Sequence, residues 1–395
     1  MVREENKKGF LDKELIIQFR EVINSSNAFC DVPEYQNLWN LICVLLDRLE
    51  SAVDYLNAHS NQPETEEELV FFMVYASMLK DGIYKFYENI YHTKPRIIES
   101  KRWFSNAHTY SQPIFTEENC PTDDTFFEYF RALSFAHPYG VSKRAGRLFM
   151  ENDEIHLSPW VISNCLIGKE RDDIGFRLYS NKDDGLKDVF VRFKDLKGYL
   201  AQRYRYLYTF IKWGNEEIIK QNNIWMQDKV CREGTSSEIL ENIIKILDKR
   251  YCGHYSIDEA LLILNSNFND AKNNKALEIV KNLINQHISQ ICDCVDKLDY
   301  ENMEESLNFL YERPENLHDH AHYELEKIFD YLGDGRGPCL RGSNEEWGLI
   351  QAINFYEAYA KKYVNIDFEK MSFSDIKTLI RISCVLGVLK EQKSE

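Results

Sequence analysis

From Glu34 onward, apolar residues recur at three- and four-residue steps. Trp39, Ile42, Leu45, Leu46, Leu49, Val53 and Leu56 therefore fall on one stripe of a helix. Pro63 marks a turn, Thr65 and Glu68 stand at the spacing of a capping box, and a second stripe follows through Phe71, Phe72, Tyr75, Met78, Leu79, Ile83, Phe86 and Ile90. Two long helices joined by a short polar loop are expected to form an antiparallel pair, with a shorter helix around Ile16, Phe19 and Ile23 packed on it. The pattern breaks between Pro95 and Pro121. Asp123 and Asp124 then open a short aromatic helix, FFEYFRALSFAHP, closed by Pro138.

The period next changes from helix to strand. Ile174, Phe176 and Leu178 alternate within Asp173 to Tyr179, and Val189, Val191 and Phe193 alternate after the polar stretch from Asn181 to Gly185, which predicts a β-hairpin. Helix returns near Leu196 and runs through RYRY toward Trp225. The polar, glycine-bearing stretch Cys231 to Ser237 reads as a linker, with Thr235 and Glu238 capping the next helix. Helical segments fill the remainder and end in an apolar one from Ile376 to Leu389. The expected fold is mainly α: residues 1–230 as a helical bundle with a small β-hairpin, then 238–395 as an all-helical domain for interaction or regulation.

Composition narrows the class. With 395 residues, 44% hydrophobic and 13% aromatic, the chain can build real cores, and 17 Gly and 9 Pro argue against collagen-like or low-complexity structure. The net charge of -16 argues against general affinity for phosphate backbones, so any nucleic-acid site must be local. No uncharged apolar run reaches membrane-spanning length and residues 1–10 lack the apolar core of a signal peptide, so a cytoplasmic protein without membrane contact is expected. The 10 Cys are scattered, as free thiols would be.

Within the aromatic helix, Arg131 and His137 stand six apart. Arg102 with His108, also six apart, and Arg313 with His318 or His320, five or seven apart, have similar spacings, but Arg102 has no helical pattern around it and Arg313 meets Pro314. Arg131 and His137, placed after a long helix pair, resemble the HEPN superfamily of helical-bundle proteins, whose ribonuclease members carry an Arg, four to six residues, then a His. The likeness covers roughly residues 1–230. Ala132 stands where those ribonucleases usually have a polar residue.

The resemblance implies RNA cleavage without a metal or other cofactor, of the bacterial defence or toxin type. The His would move a proton at the 2'-hydroxyl or leaving oxygen, and the Arg would stabilise the pentavalent phosphate. His137 precedes Pro138 and is expected at a helix C-terminus, where the dipole favours the imidazolium. The resemblance also implies a homodimer, which pairs two copies of the motif. Lys143, Arg144 and Arg147 form the densest basic cluster, and Arg203 and Arg205 sit among tyrosines in RYRYLY, so these are the expected RNA contacts. The rival expectation is a non-catalytic helical module that dimerises and docks a protein partner through the C-terminal domain. Here Arg131 is salt-bridged to a neighbouring acid and His137 caps its helix.

Other clusters read as structural. His318, His320 and His322 lie within five residues, and His318, His322 and Glu326 share helical spacing, but a third strong ligand is missing. The loop Gly333 to Ser343, with Arg336 and Arg341, matches neither a Walker motif nor a dinucleotide fingerprint. Cys292 and Cys294 have no partner pair.

Overall fold

The computed structural model describes residues 9–30, 32–109, 112–142, 154–161, 172–182, 187–333 and 343–393. The chain divides into two compact units, Met1–Ile219 and Lys220–Glu395. The architecture is mainly helical with a small antiparallel sheet.

In the N-terminal unit, α1 (Lys13–Asn24) precedes the long helices α2 (Gln36–Ala58) and α3 (Glu66–Tyr91). Tyr55 stacks on Tyr75 at 4.0 Å, and Gly82 lies against Leu45, so residues ascending α2 meet residues descending α3 and the pair is antiparallel. Thr65 and Glu68 form the expected capping box. Every stripe residue of α2 from Ile42 to Leu56 is buried, whereas Phe71 on α3 is 47% exposed. Further along come α4 (Asp123–Arg131), α5 (Phe193–Tyr204) and α6 (Tyr206–Trp225), whose residues from Lys220 on are counted with the C-terminal unit.

The hairpin is the centre of a larger sheet. β5 (Asp173–Ser180) and β6 (Lys187–Arg192) pair in the register Phe176 with Val189, and they are flanked by β1 (His108–Thr109), β2 (Gln112–Pro113), β3 (Val141–Ser142) and β4 (Ile155–Leu157) in the order β2-β1-β6-β5-β4-β3. Strands of two or three residues carry no readable alternation, so the sequence announces only the hairpin. The alternation also implies one wet face, but both faces of β5 are covered. Arg177 pairs with its cross-strand neighbour Asp188 (Nε to Oδ1 2.8 Å, Nη2 to Oδ2 2.9 Å) beneath the Trp160 ring, and this pairing lets a charged residue be buried.

The C-terminal unit is helical throughout its described residues: α7 (Ser236–Lys249), α8 (Tyr255–Asn265), α9 (Ala271–Lys297), α10 (Tyr300–Glu305), α11 (Ala321–Tyr331), α12 (Ser343–Ala358) and α13 (Phe373–Gln392). As the apolar pattern predicts, α13 is buried through Ile376, Leu379, Ile380, Ile382 and Val385. The division between units falls earlier than the polar stretch suggests. That stretch is tied into the C-terminal unit: the Val230 N–H donates to Asp296, the Cys231 N–H to Asn242, and Arg232 pairs with Asp293 and Asp296. Thr235 and Glu238 form the expected capping box of α7. Among the described residues, no helix is long and apolar enough to cross a membrane.

Candidate functional site

The aromatic helix α4 is anchored at its N-terminus by two carboxylates with different partners. Thr122 caps it through the Thr125 N–H. Asp123 is buried and accepts the Ser100 hydroxyl (2.6 Å) and the backbone N–H groups of Arg102, Trp103 and Phe104 (3.0, 2.7 and 3.1 Å), fixing the loop that the sequence leaves without pattern. Asp124 faces the other way. It accepts the hydroxyls of Tyr84 (2.8 Å) and Tyr199 (2.6 Å) and the Arg203 guanidinium (Nη2 to Oδ1 2.9 Å). Burial raises the pKa of both tyrosines well above the ordinary value, so both hydroxyls remain donors to the carboxylate.

Phe126, Phe127, Tyr129 and Phe130 carry the helix into the core, with Phe127 stacked on Tyr199 at 4.9 Å and Phe130 against Phe176 at 5.3 Å. Arg131 ends α4. Its Nε lies 3.0 Å from Glu128 and its Nη1 3.8 Å from Asp81, with the side chain 32% exposed. Glu128 also pairs with Lys80, which lies 3.1 Å from Asp81, so two cations and two carboxylates alternate between α3 and α4. Beyond Arg131 the helix continues as a π turn, Ala132–Ala136, and His137 closes it by donating its N–H to the Ala132 carbonyl at 2.7 Å. His137 is exposed and sits at the C-terminal end of the helical run, where the sequence placed it. An open cleft of about 540 Å³ runs beside this segment, lined in part by Lys80, Tyr84, Lys94, Asp124 and Glu128; neither Arg131 nor His137 lines it.

Comparison with protein-family models, with curated proteins and with solved structures returned no match to this chain.

The expected RNA contacts have different fates. Lys143, Arg144 and Arg147 lie outside the described residues. Arg205 is exposed at the end of α5. Arg203 is a correction: it has no exposed surface, its guanidinium is held by Asp124, Tyr84 and Gln202, and it lies 3.7 Å from the centre of the Tyr199 ring. The cation among tyrosines that suggested base stacking is instead an internal strut, because Arg203 is on the inner face of α5.

The histidine cluster also separates. Because α11 begins at Ala321, His318 precedes the helix and pairs with Glu324 (2.7 Å), His320 is the N-cap residue, and His322 accepts from Arg313 (3.1 Å), while Glu326 pairs with Lys327. No group of metal-binding side chains is found among the described residues. Arg336 and Arg341 lie outside those residues. Cys292 and Cys294 are both buried in α9, and burial raises both thiol pKa values.

One polar chain carries no sequence signal. The Tyr129 hydroxyl bonds His156 Nδ1 (2.7 Å), His156 Nε2 bonds Glu154 (2.8 Å), and the Ser180 hydroxyl donates to the same carboxylate (2.6 Å). Tyr129, Glu154 and His156 are buried. Burial lowers the His156 pKa, offset in part by Glu154.

Proposed function

We propose that the N-terminal unit is a HEPN-like helical module that binds RNA and cleaves it without a metal, with Arg131 meeting phosphate charge and His137 moving the proton. One observation carries the reading. In the run from Asp123 to His137 the aromatic side chains Phe126, Phe127, Tyr129 and Phe130 are buried, while Arg131 and His137 keep contact with solvent at either end of a π turn. In the cleavage step the 2'-oxygen attacks phosphorus, the 5'-oxygen leaves, and an imidazole takes the first proton or supplies the second. One chain offers one Arg and one His, so the reading includes a second copy that completes the centre.

The test is cleavage of a labelled RNA in EDTA. Arg131→Ala and His137→Ala should each lose about 100-fold or more in rate, the scale of a lost acid-base or electrostatic group. His137→Ala should keep its thermal midpoint, because the side chain is exposed.

The ion pairs of Arg131 with Glu128 and Asp81 favour a second reading, in which the charge is already balanced and the unit is a non-catalytic interaction module. On that reading the wild-type protein cuts no RNA and forms a stoichiometric complex with a protein partner.

A further inference from the structure

Within the C-terminal unit, a cavity of about 210 Å³ lies among α8, the turn at Leu310 to Arg313, α11 and α13. Arg381 lines it and is only 4% exposed. Its Nε lies 2.9 Å from Glu259, its Nη1 donates to the Leu310 carbonyl at 3.1 Å, and its guanidinium sits 4.7 Å from the Tyr311 ring and 4.4 Å from the Phe329 ring. Neither of those polar contacts engages Nη2. Tyr311 lines the same cavity, and its hydroxyl is buried without a hydrogen-bond partner. Burial raises the Tyr311 pKa well above the ordinary tyrosine value, so the group stays an O–H donor.

Buried donors with unused capacity cost free energy until they meet an acceptor. Here a cationic donor and a neutral one line a single space. Tyr255, stacked on Tyr311 at 6.0 Å, and Phe329 supply aromatic walls. Arg313 also lines the cavity; it donates to the His322 ring (3.1 Å) and carbonyl (3.4 Å), and the Glu326 carboxylate is close enough to feel its charge. Cys384 completes the wall with its thiol pKa pushed up to about 12 by burial, so it contributes an apolar surface and no nucleophile. We infer that this cavity is a binding site for a small organic carboxylate carried on a flat apolar body, with the anion on Arg381 and the Tyr311 hydroxyl.

The volume is below the roughly 300 to 1,000 Å³ of pockets for drug-sized ligands, which limits the occupant to a compact molecule. Glu259 shares the Arg381 charge and Glu312 is one of the lining residues, so affinity for a minimal probe should be millimolar.

Benzoate is the probe, titrated into the full-length protein and followed by ligand-observed NMR, with benzamide and benzylamine as isosteres lacking the negative charge. Saturable benzoate binding is expected, with both controls much weaker. Tyr311→Phe keeps the ring and removes the donor, so benzoate affinity should fall roughly tenfold, the scale of a hydrogen bond to a charged group, while the thermal midpoint holds or rises because an unsatisfied buried hydroxyl is gone. Arg313→Gln should weaken binding and flatten its salt dependence without disturbing the core. Absence of saturable benzoate binding in the millimolar range overturns the inference. So does benzamide binding as tightly as benzoate, or benzoate affinity unchanged in both variants.

Discussion

Asp124→Ala tests how the N-terminal unit is held together, because that carboxylate is the counter-charge of a guanidinium with no exposed surface. Removing it strands Arg203, and breaking one side of a buried ion pair costs about 3 to 5 kcal/mol. The Tyr84 and Tyr199 hydroxyls lose their acceptor as well, at about 1 to 3 kcal/mol for each buried group left unsatisfied. Tyr84 keeps its contact with Arg203 Nε at 3.2 Å, and the losses share one carboxylate, so they do not add in full. A total near 4 to 6 kcal/mol is expected, against roughly 5 to 15 kcal/mol for a whole domain. Urea denaturation followed by far-ultraviolet circular dichroism reads the change. Arg20→Ala is the comparison in the same unit: its pairs with Asp47 and Glu50 are exposed, and the cost should stay below about 1 kcal/mol. Replacing Asp124 by Leu together with Arg203 by Met should recover most of the loss, since a packed apolar pair removes the stranded charge. An Asp124→Ala protein as stable as Arg20→Ala, or a double variant no better than the single one, refutes the reasoning.

Further outcomes follow from burial at other sites. Burial holds the His156 imidazole below its usual value of 6.5, so the unfolded chain binds the proton more readily. The stability His156 contributes is therefore present above about pH 6.5 and is lost as pH falls from there through the folded value. Unfolding free energies measured across that window should slope downward with acid, and His156→Gln should flatten the slope; an unchanged slope rejects the assignment. At Gly387 on α13, a Cβ would collide with the Tyr359 hydroxyl and lie 2.6 Å from Pro314 Cγ. Gly387→Ala should therefore cost about 1 to 3 kcal/mol by overpacking, seen as a lower thermal midpoint, and a raised midpoint would contradict it.

Local physics was legible in the chain. The stripe of α2, the capping boxes at Thr65 and Thr235 and the pairing of β5 with β6 each depend on residues a few positions apart and stand where the pattern put them, whereas Phe71 of the expected α3 stripe is exposed. The placement of His137 at the end of its helical run has the same origin, since Pro138 is its immediate neighbour. What the tertiary structure alone decided is which charges face water. Arg203 and Arg205 are two residues apart in one basic, tyrosine-rich run, yet one is sealed against Asp124 and the other is exposed, because Asp124 and Tyr84, which hold Arg203, lie 79 and 119 residues away. Arg381 and Tyr311 are likewise separate signals until folding places them on one cavity. Helical and strand periods encode the inner face of each element, whereas the charge a side chain meets there is set by long-range packing, which no local spacing records.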